Sequence, residues 1–158
     1  MPLNERVAQL LIENKKTLAL AESCTGGLLA AALTDIPGSS RFFRVGTVVY
    51  ANEAKSGILK IPPAALKRHG AVSEKTAEAM ARAIRQKAGT DFGVGITGIA
   101  GPGGGSRTKP VGLTYIAVNT PLESLCLKCL FKGSRARVRS QAVRTALQLL
   151  LEFLSPDG

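Results

Sequence analysis

The sequence predicts a three-layer α/β/α sandwich built on a mixed, mostly parallel sheet of about five strands, folded as a single domain over residues 1–158. Three observations predict it. Short apolar runs bounded by turn residues alternate with amphipathic helical segments through the first two-thirds of the chain. Two later runs lie close enough to pair as antiparallel neighbours. A chain of 158 residues suffices for one core, whereas two full domains would be crowded.

Each element has a local reason. Leu3, Val7, Leu10 and Leu11 recur at helical spacing, and the apolar run 17–21 that follows is a first strand leading into AESCTGG (21–27). Residues 27–34 are strong helix formers that stop before Pro37 and Gly38. The β-branched run 45–51 predicts a second strand, and short helices are expected over 52–59 and 62–68, the latter admitted by Pro62 and Pro63 in its first turn. Ser73 is a candidate cap for a helix whose apolar stripe is Ala77, Met80, Ala81, Ile84 and Ala88. A third strand (91–97) opens into the glycine-rich stretch IAGPGGGSRTKP, the one long irregular segment, and strands over 111–118 and 122–131 follow. Ser134 can cap a last helix that buries Val143, Ala146, Leu147, Leu150, Leu151 and Leu154.

Composition narrows the function classes. Hydrophobic residues at 45% and charged residues at 20% mark a globular chain, and with 4% aromatics and no Trp it has little material for base-stacking platforms. The N-terminal residues interleave acids and amides with apolar positions, unlike a signal peptide, and no run approaches the roughly 18 apolar residues of a membrane span. Three cysteines, an odd number, fit reduced thiols, so a cytoplasmic protein with no membrane partner is expected. The net charge of +10 is concentrated in Lys128, Lys132, Arg135, Arg137, Arg139 and Arg144, with no acid between them. Such a cluster suits one small anion or a nucleic acid, but the spacings of nucleic-acid-binding motifs are absent.

The candidate motifs leave alternatives open. GVGITG (93–98) has dinucleotide-fingerprint spacing but lies within a strand and precedes no helix, and the later glycine run lacks the terminal residues of a P-loop. That loop's amides could approach an anion closely. Cys126 and Cys129, three apart in a strand, face opposite sides and fit packing better than a metal or disulfide. In AESCTGG, Ser23 and Cys24 both qualify as nucleophiles, and the only histidine, His69, is weakly placed as a base. Lys55 could serve if desolvated, though local sequence makes it an ordinary solvated helix residue and Tyr50 strand-end packing. Arg135, Arg137 and Arg139 open the last helix, where the dipole disfavours cations unless an anion compensates.

AESCTGG, IPGSSRFF, VVYANEAK, HGAVS, TGIAGPGGGS, KPVG and FKGSRARVR, taken in this order over about residues 5–153, resemble the C-terminal domain of the CinA (competence/damage-inducible) family. That family includes nicotinamide-nucleotide amidohydrolases, which convert nicotinamide mononucleotide to nicotinate mononucleotide and ammonia. The resemblance implies Ser23 as nucleophile and Lys55 as its base, without metal or cofactor. Amides from Cys24 to Gly26 are then candidates for the oxyanion, with Thr25, Tyr50 and Thr97 as orienting groups. Arg135 and Arg139 match the family's phosphate-side arginines, helped by loop residues Gly103, Gly104, Gly105 and Ser106. Leu113 stands where the family commonly has threonine, a departure that touches substrate detail. Many members carry a further domain ahead of this one, and here only the amidase unit is expected. Family habit implies a homodimer or higher homo-oligomer. Competing readings are a nucleotide-binding module without turnover and a basic nucleic-acid-associated protein.

Overall fold

The computed structural model describes residues 1–156 and contains six α-helices and five strands. In chain order these are α1 (Leu3–Glu13), β1 (Leu18–Glu22), α2 (Leu28–Thr34), β2 (Phe43–Val48), α3 (Asn52–Leu59), α4 (Pro63–His69), α5 (Glu74–Ala88), β3 (Phe92–Gly98), β4 (Leu113–Asn119), β5 (Ser124–Leu130) and α6 (Arg135–Leu154). The sheet order is β2-β1-β3-β4-β5. β1 lies parallel to both β2 and β3, while the β3–β4 and β4–β5 ladders are antiparallel. Four strands therefore run in one direction, but only half of the ladders are parallel, because β4 returns by a direct hairpin into β5.

The period-two pattern of β1 sorts the two helical layers. Leu18 and Leu20 join Val94, Ile96, Ile116 and Val118 under α1, α2 and α6. Ala19 and Ala21 face the other way, onto Met80, Ile84, Leu59 and Leu66 of α3, α4 and α5. Small residues on this second face let α5 come very close. A Cβ at Gly93 would collide with the Ala81 carbonyl, and one at Gly95 with the Ala77 carbonyl. The glycines of GVGITG thus serve helix-on-sheet packing. Cys126 packs with Ala77, Ala81 and Ala117 on that face, and Cys129 against the opposite core, so the two thiols are separated by the sheet as their spacing predicts.

Boundaries shift where turn chemistry intervenes. β2 spans Phe43–Val48 rather than 45–51: Val49 still donates to the Glu22 carbonyl, but Ala51 already caps α3, so the chain must leave the sheet between them. β4 starts at Leu113 because Gly112 takes a left-handed turn at φ +94°. Ser73 and Ser134 cap α5 and α6, accepting from Thr76 N (3.1 Å) and Arg137 N (3.3 Å). In α6 the buried face also includes Val138, Ala142 and Leu149, while Val143 and Leu151 sit half-buried at its margin. Among the described residues no helix is long and apolar enough to cross a membrane.

Candidate active site

Three parallel strands release their chains at the same end of the sheet, and α6 starts against the turn that follows β1. Ser23 continues the β1–β3 ladder by donating its N–H to Ile96 O (3.0 Å), which pins it one residue beyond the strand. The chain then turns sharply. Gly26 donates to Ser23 O (3.0 Å), and Gly26 and Gly27 take φ +58° and +99°, a left-handed pair that side chains would strain. α2 begins immediately afterwards, so Ser23 sits between two fixed elements.

Lys55 lies in the first turns of α3, and its side chain runs inward rather than out to solvent. It is only 1% exposed, and its Nζ reaches Ser23 Oγ at 3.2 Å and the Tyr50 carbonyl at 3.0 Å. Local sequence makes Lys55 a solvated residue, but the end of β2 folds α3 over the strand ends, which turns its amine toward the serine. Burial lowers the pKa of the amine below the ordinary lysine range. A neutral amine has one lone pair and two N–H bonds, so it can accept the Ser23 proton while still donating to the Tyr50 carbonyl.

The same burial acts on the other candidate, the neighbouring cysteine. The Cys24 thiol, 4% exposed, has its pKa pushed up to about 11, chiefly by burial, against weaker opposing effects from its own backbone amide and Arg139. It remains protonated near neutrality, and among the described residues no hydrogen bond joins it to a base. His69 ends α4 on the surface, where its side chain makes no hydrogen bond among the described residues and its carbonyl accepts from Lys109 Nζ at 3.3 Å.

The other candidates divide into those holding the turn and those at its mouth. Arg139 donates from Nε to Cys24 O (3.1 Å) and from Nη2 to Thr25 O (3.2 Å), so most of its fork holds the turn. Thr25 is buried and donates to Glu22 Oε1 (2.6 Å), and Thr97 donates to Ala71 O (2.7 Å), tying β3 to the HGAVS segment. Arg135 is exposed and spans the mouth, donating to Gly101 O (2.7 Å) and to the Tyr50 hydroxyl (2.9 Å). Gly103, Gly104, Gly105 and Ser106 stay exposed, with Ser106 Oγ accepting from Lys109 N (3.1 Å). Of the amides from Cys24 to Gly26, that of Gly26 is spent on Ser23 O. Among the described residues those of Cys24 and Thr25 donate to no protein atom. No group of three His, Cys, Asp or Glu side chains comes together among the described residues.

Sequence reasoning missed Glu22. Its signal was an acid closing a strand whose other positions are all apolar, and in the structure it is 1% exposed and accepts from Thr25, Leu29 and Ala30.

Sequence and fold comparisons both lead to the CinA family. The sequence profile of the CinA C-terminal domain matches residues 1–154. A CinA-like protein of Desulfotalea psychrophila is 46% identical over 155 residues, and one of Acidobacterium capsulatum is 52% identical over 134. The matches cover 98% and 85% of this chain but 38% and 32% of those relatives, so the chain spans about a third of their length. Among solved structures, the competence/damage inducible protein CihA of Agrobacterium tumefaciens superposes with a TM-score of 0.94 at 39% identity, covering 97% of this chain and 94% of that one. A CinA superfamily protein of Klebsiella pneumoniae gives 0.93 at 39% identity, with 96% and 95% covered.

Proposed function

This chain belongs to the CinA family through its C-terminal domain, and from that premise we propose that it is a nicotinamide-nucleotide amidohydrolase. The observation that carries the reading is the buried 3.2 Å contact between Ser23 Oγ and an amine whose pKa is held down by burial. Neutral Lys55 takes the hydroxyl proton as Ser23 Oγ bonds to the carboxamide carbon of nicotinamide mononucleotide. Negative charge gathers on the amide oxygen, where the Cys24 and Thr25 amides are the available donors. The amine returns the proton to the leaving nitrogen, the carbon–nitrogen bond breaks, and ammonia departs. Water, deprotonated by the same amine, then hydrolyses the acyl ester to nicotinate mononucleotide and free Ser23.

Substrate orientation falls to the mouth. Arg135 has only a carbonyl and a neutral hydroxyl as partners, so an arriving phosphate offers it a charge-assisted replacement. The remaining Nη1 of Arg139 and the amides of Gly103 to Gly105 supplement it, the Ser106 amide being held by Lys109 O, and Tyr50 and Thr97 shape the walls. The test is ammonia release from nicotinamide mononucleotide by the purified protein. Turnover by the wild type, lost in Ser23→Ala, is expected. Turnover that survives Ser23→Ala overturns the assignment, and tight nucleotide binding without turnover replaces the enzyme by a binding module.

A further inference from the structure

Glu22 is a carboxylate in a place that should exclude one. It closes β1, all of whose residues are buried, and is itself only 1% exposed. An ionised carboxylate there is tolerated only with strong hydrogen-bond donors. It has three: Thr25 Oγ1 (2.6 Å) and Leu29 N (3.0 Å) on Oε1, and Ala30 N (3.0 Å) on Oε2. Leu29 and Ala30 belong to the first turn of α2, whose own cap position is Gly27 and has no side chain to offer. Glu22 therefore caps α2 from the preceding strand, seven and eight residues upstream, instead of from the cap position itself. One side chain thus ties the residue before Ser23 to the helix after it.

The consequence is an allocation of most donors around the nucleophile. Gly26 N goes to Ser23 O, Leu28 N to Thr25 O and Ala31 N to Gly27 O, while Leu29 N and Ala30 N go to Glu22. The first turn of α2 from Leu28 to Ala31 therefore keeps no free amide to draw an anion away from Ser23. The Ser23 carbonyl, held by Gly26 N, and the Cys24 carbonyl, held by Arg139, lock the two peptide planes that carry the Cys24 and Thr25 N–H groups, while Glu22 fixes the Thr25 hydroxyl. Those two N–H groups donate to no protein atom among the described residues. We infer that Glu22 is the positioning residue of the Ser23 turn, its carboxylate holding Thr25 and the first turn of α2 so that Ser23 Oγ stays on Lys55 Nζ and the Cys24 and Thr25 amides stay free for the oxyanion. The role rests on Ser23 being the nucleophile of the amidase reading. Glu22 touches neither substrate nor the reacting atoms, so its effect must appear in the chemical step.

Two variants and their combination test this. Glu22→Gln keeps the shape but sets an NH2 against one of the donors, and Thr25→Val removes the hydroxyl that Glu22 holds. For Glu22→Gln we expect kcat to fall about 10- to 100-fold with KM within about twofold, the scale set by loss of one well-placed oxyanion donor or a misplacement near 1 Å. Thr25→Val should show a smaller kcat loss with the same unchanged KM, and the double variant should lose less than the sum of the two, because both disturb the one hydrogen-bond network around Glu22. Unchanged kcat in Glu22→Gln, a loss confined to KM, or full additivity overturns the role. If Glu22→Gln does not fold, Thr25→Val decides: unchanged kcat there overturns it. A second readout separates this inference from the amidase reading. The rate at which a fluorophosphonate labels Ser23, followed by intact mass, should fall in both variants. A wild type that labels but releases no ammonia refutes the substrate while the labelling rates still judge Glu22. A wild type that neither labels nor turns over overturns both.

Discussion

The turn over residues 22–27 and the loop over residues 99–112 are both rich in glycine and both bonded from the start of α6, the turn by Arg139 and the loop by Arg135, yet they are built in opposite ways. In the turn the Ser23 and Thr25 hydroxyls, the Glu22 carboxylate and the carbonyls of Ser23, Cys24 and Thr25 all have partners. In the loop the ends are stitched together by Ile99 N to Leu113 O (2.9 Å) and Gly112 N to Ile99 O (2.7 Å), while Gly103 has open space beside its α-carbon. On the proposed amidase reading the difference has a use: reacting atoms need a geometry fixed before substrate arrives, while a phosphate contact gains from backbone that can adjust. Substitutions should therefore hit kcat in the turn and KM in the loop.

The largest effect tests the turn itself. Ser23→Ala or Lys55→Met should lower kcat for ammonia release on the order of 10⁴- to 10⁶-fold, measured in single-turnover assays, as losses of a nucleophile or its base do. Next is the pH profile. Lys55 must be neutral to act and its pKa lies below the ordinary 10.5, so kcat/KM should rise with pH along a limb centred below that value. The same shift has a stability sign. Between the lowered folded pKa and the unfolded one, the unfolded chain binds more protons, so wild-type stability rises with pH across that window. Denaturant midpoints should show the wild type gaining on Lys55→Met as pH climbs, and a flat difference would refute a depressed amine. Arg139→Met, which frees two carbonyls of the turn, should cost roughly 10-fold in kcat along with a lower thermal midpoint. The smallest effects belong to the loop. Gly104→Ala, at φ +85°, should cost about 1 kcal/mol of local strain and raise KM a few-fold, while Gly103→Ala should change neither constant. A kcat collapse from either glycine would erase the contrast between the two segments.

The layers were legible because burial writes itself into period and composition: the alternating faces of β1, the stripe of α5 and the caps Ser73 and Ser134 are local facts. Strand ends were less legible. The exit of β2 depends on Val49 bonding to Glu22 O and Ala51 capping α3, a competition between neighbours that β-branched content cannot reveal. Of the site, the strand-to-helix turn at AESCTGG was readable from its glycines, but the choice between Ser23 and Cys24 came only with the family resemblance.

What the sequence by itself determined is the sandwich class, the sharp turn after β1 and the clustering of arginines at one helix start, since all three follow from residue type and spacing along a single segment. What only the tertiary structure decided is how charged groups are used. Lys55 reaches Ser23 across 32 positions, Arg139 reaches Cys24 across 115, and Glu22 turns from an odd acid in an apolar strand into the cap of α2. The physical reason is desolvation: whether an amine is lowered or a thiol raised depends on which distant segments exclude water around it, and no local pattern encodes that.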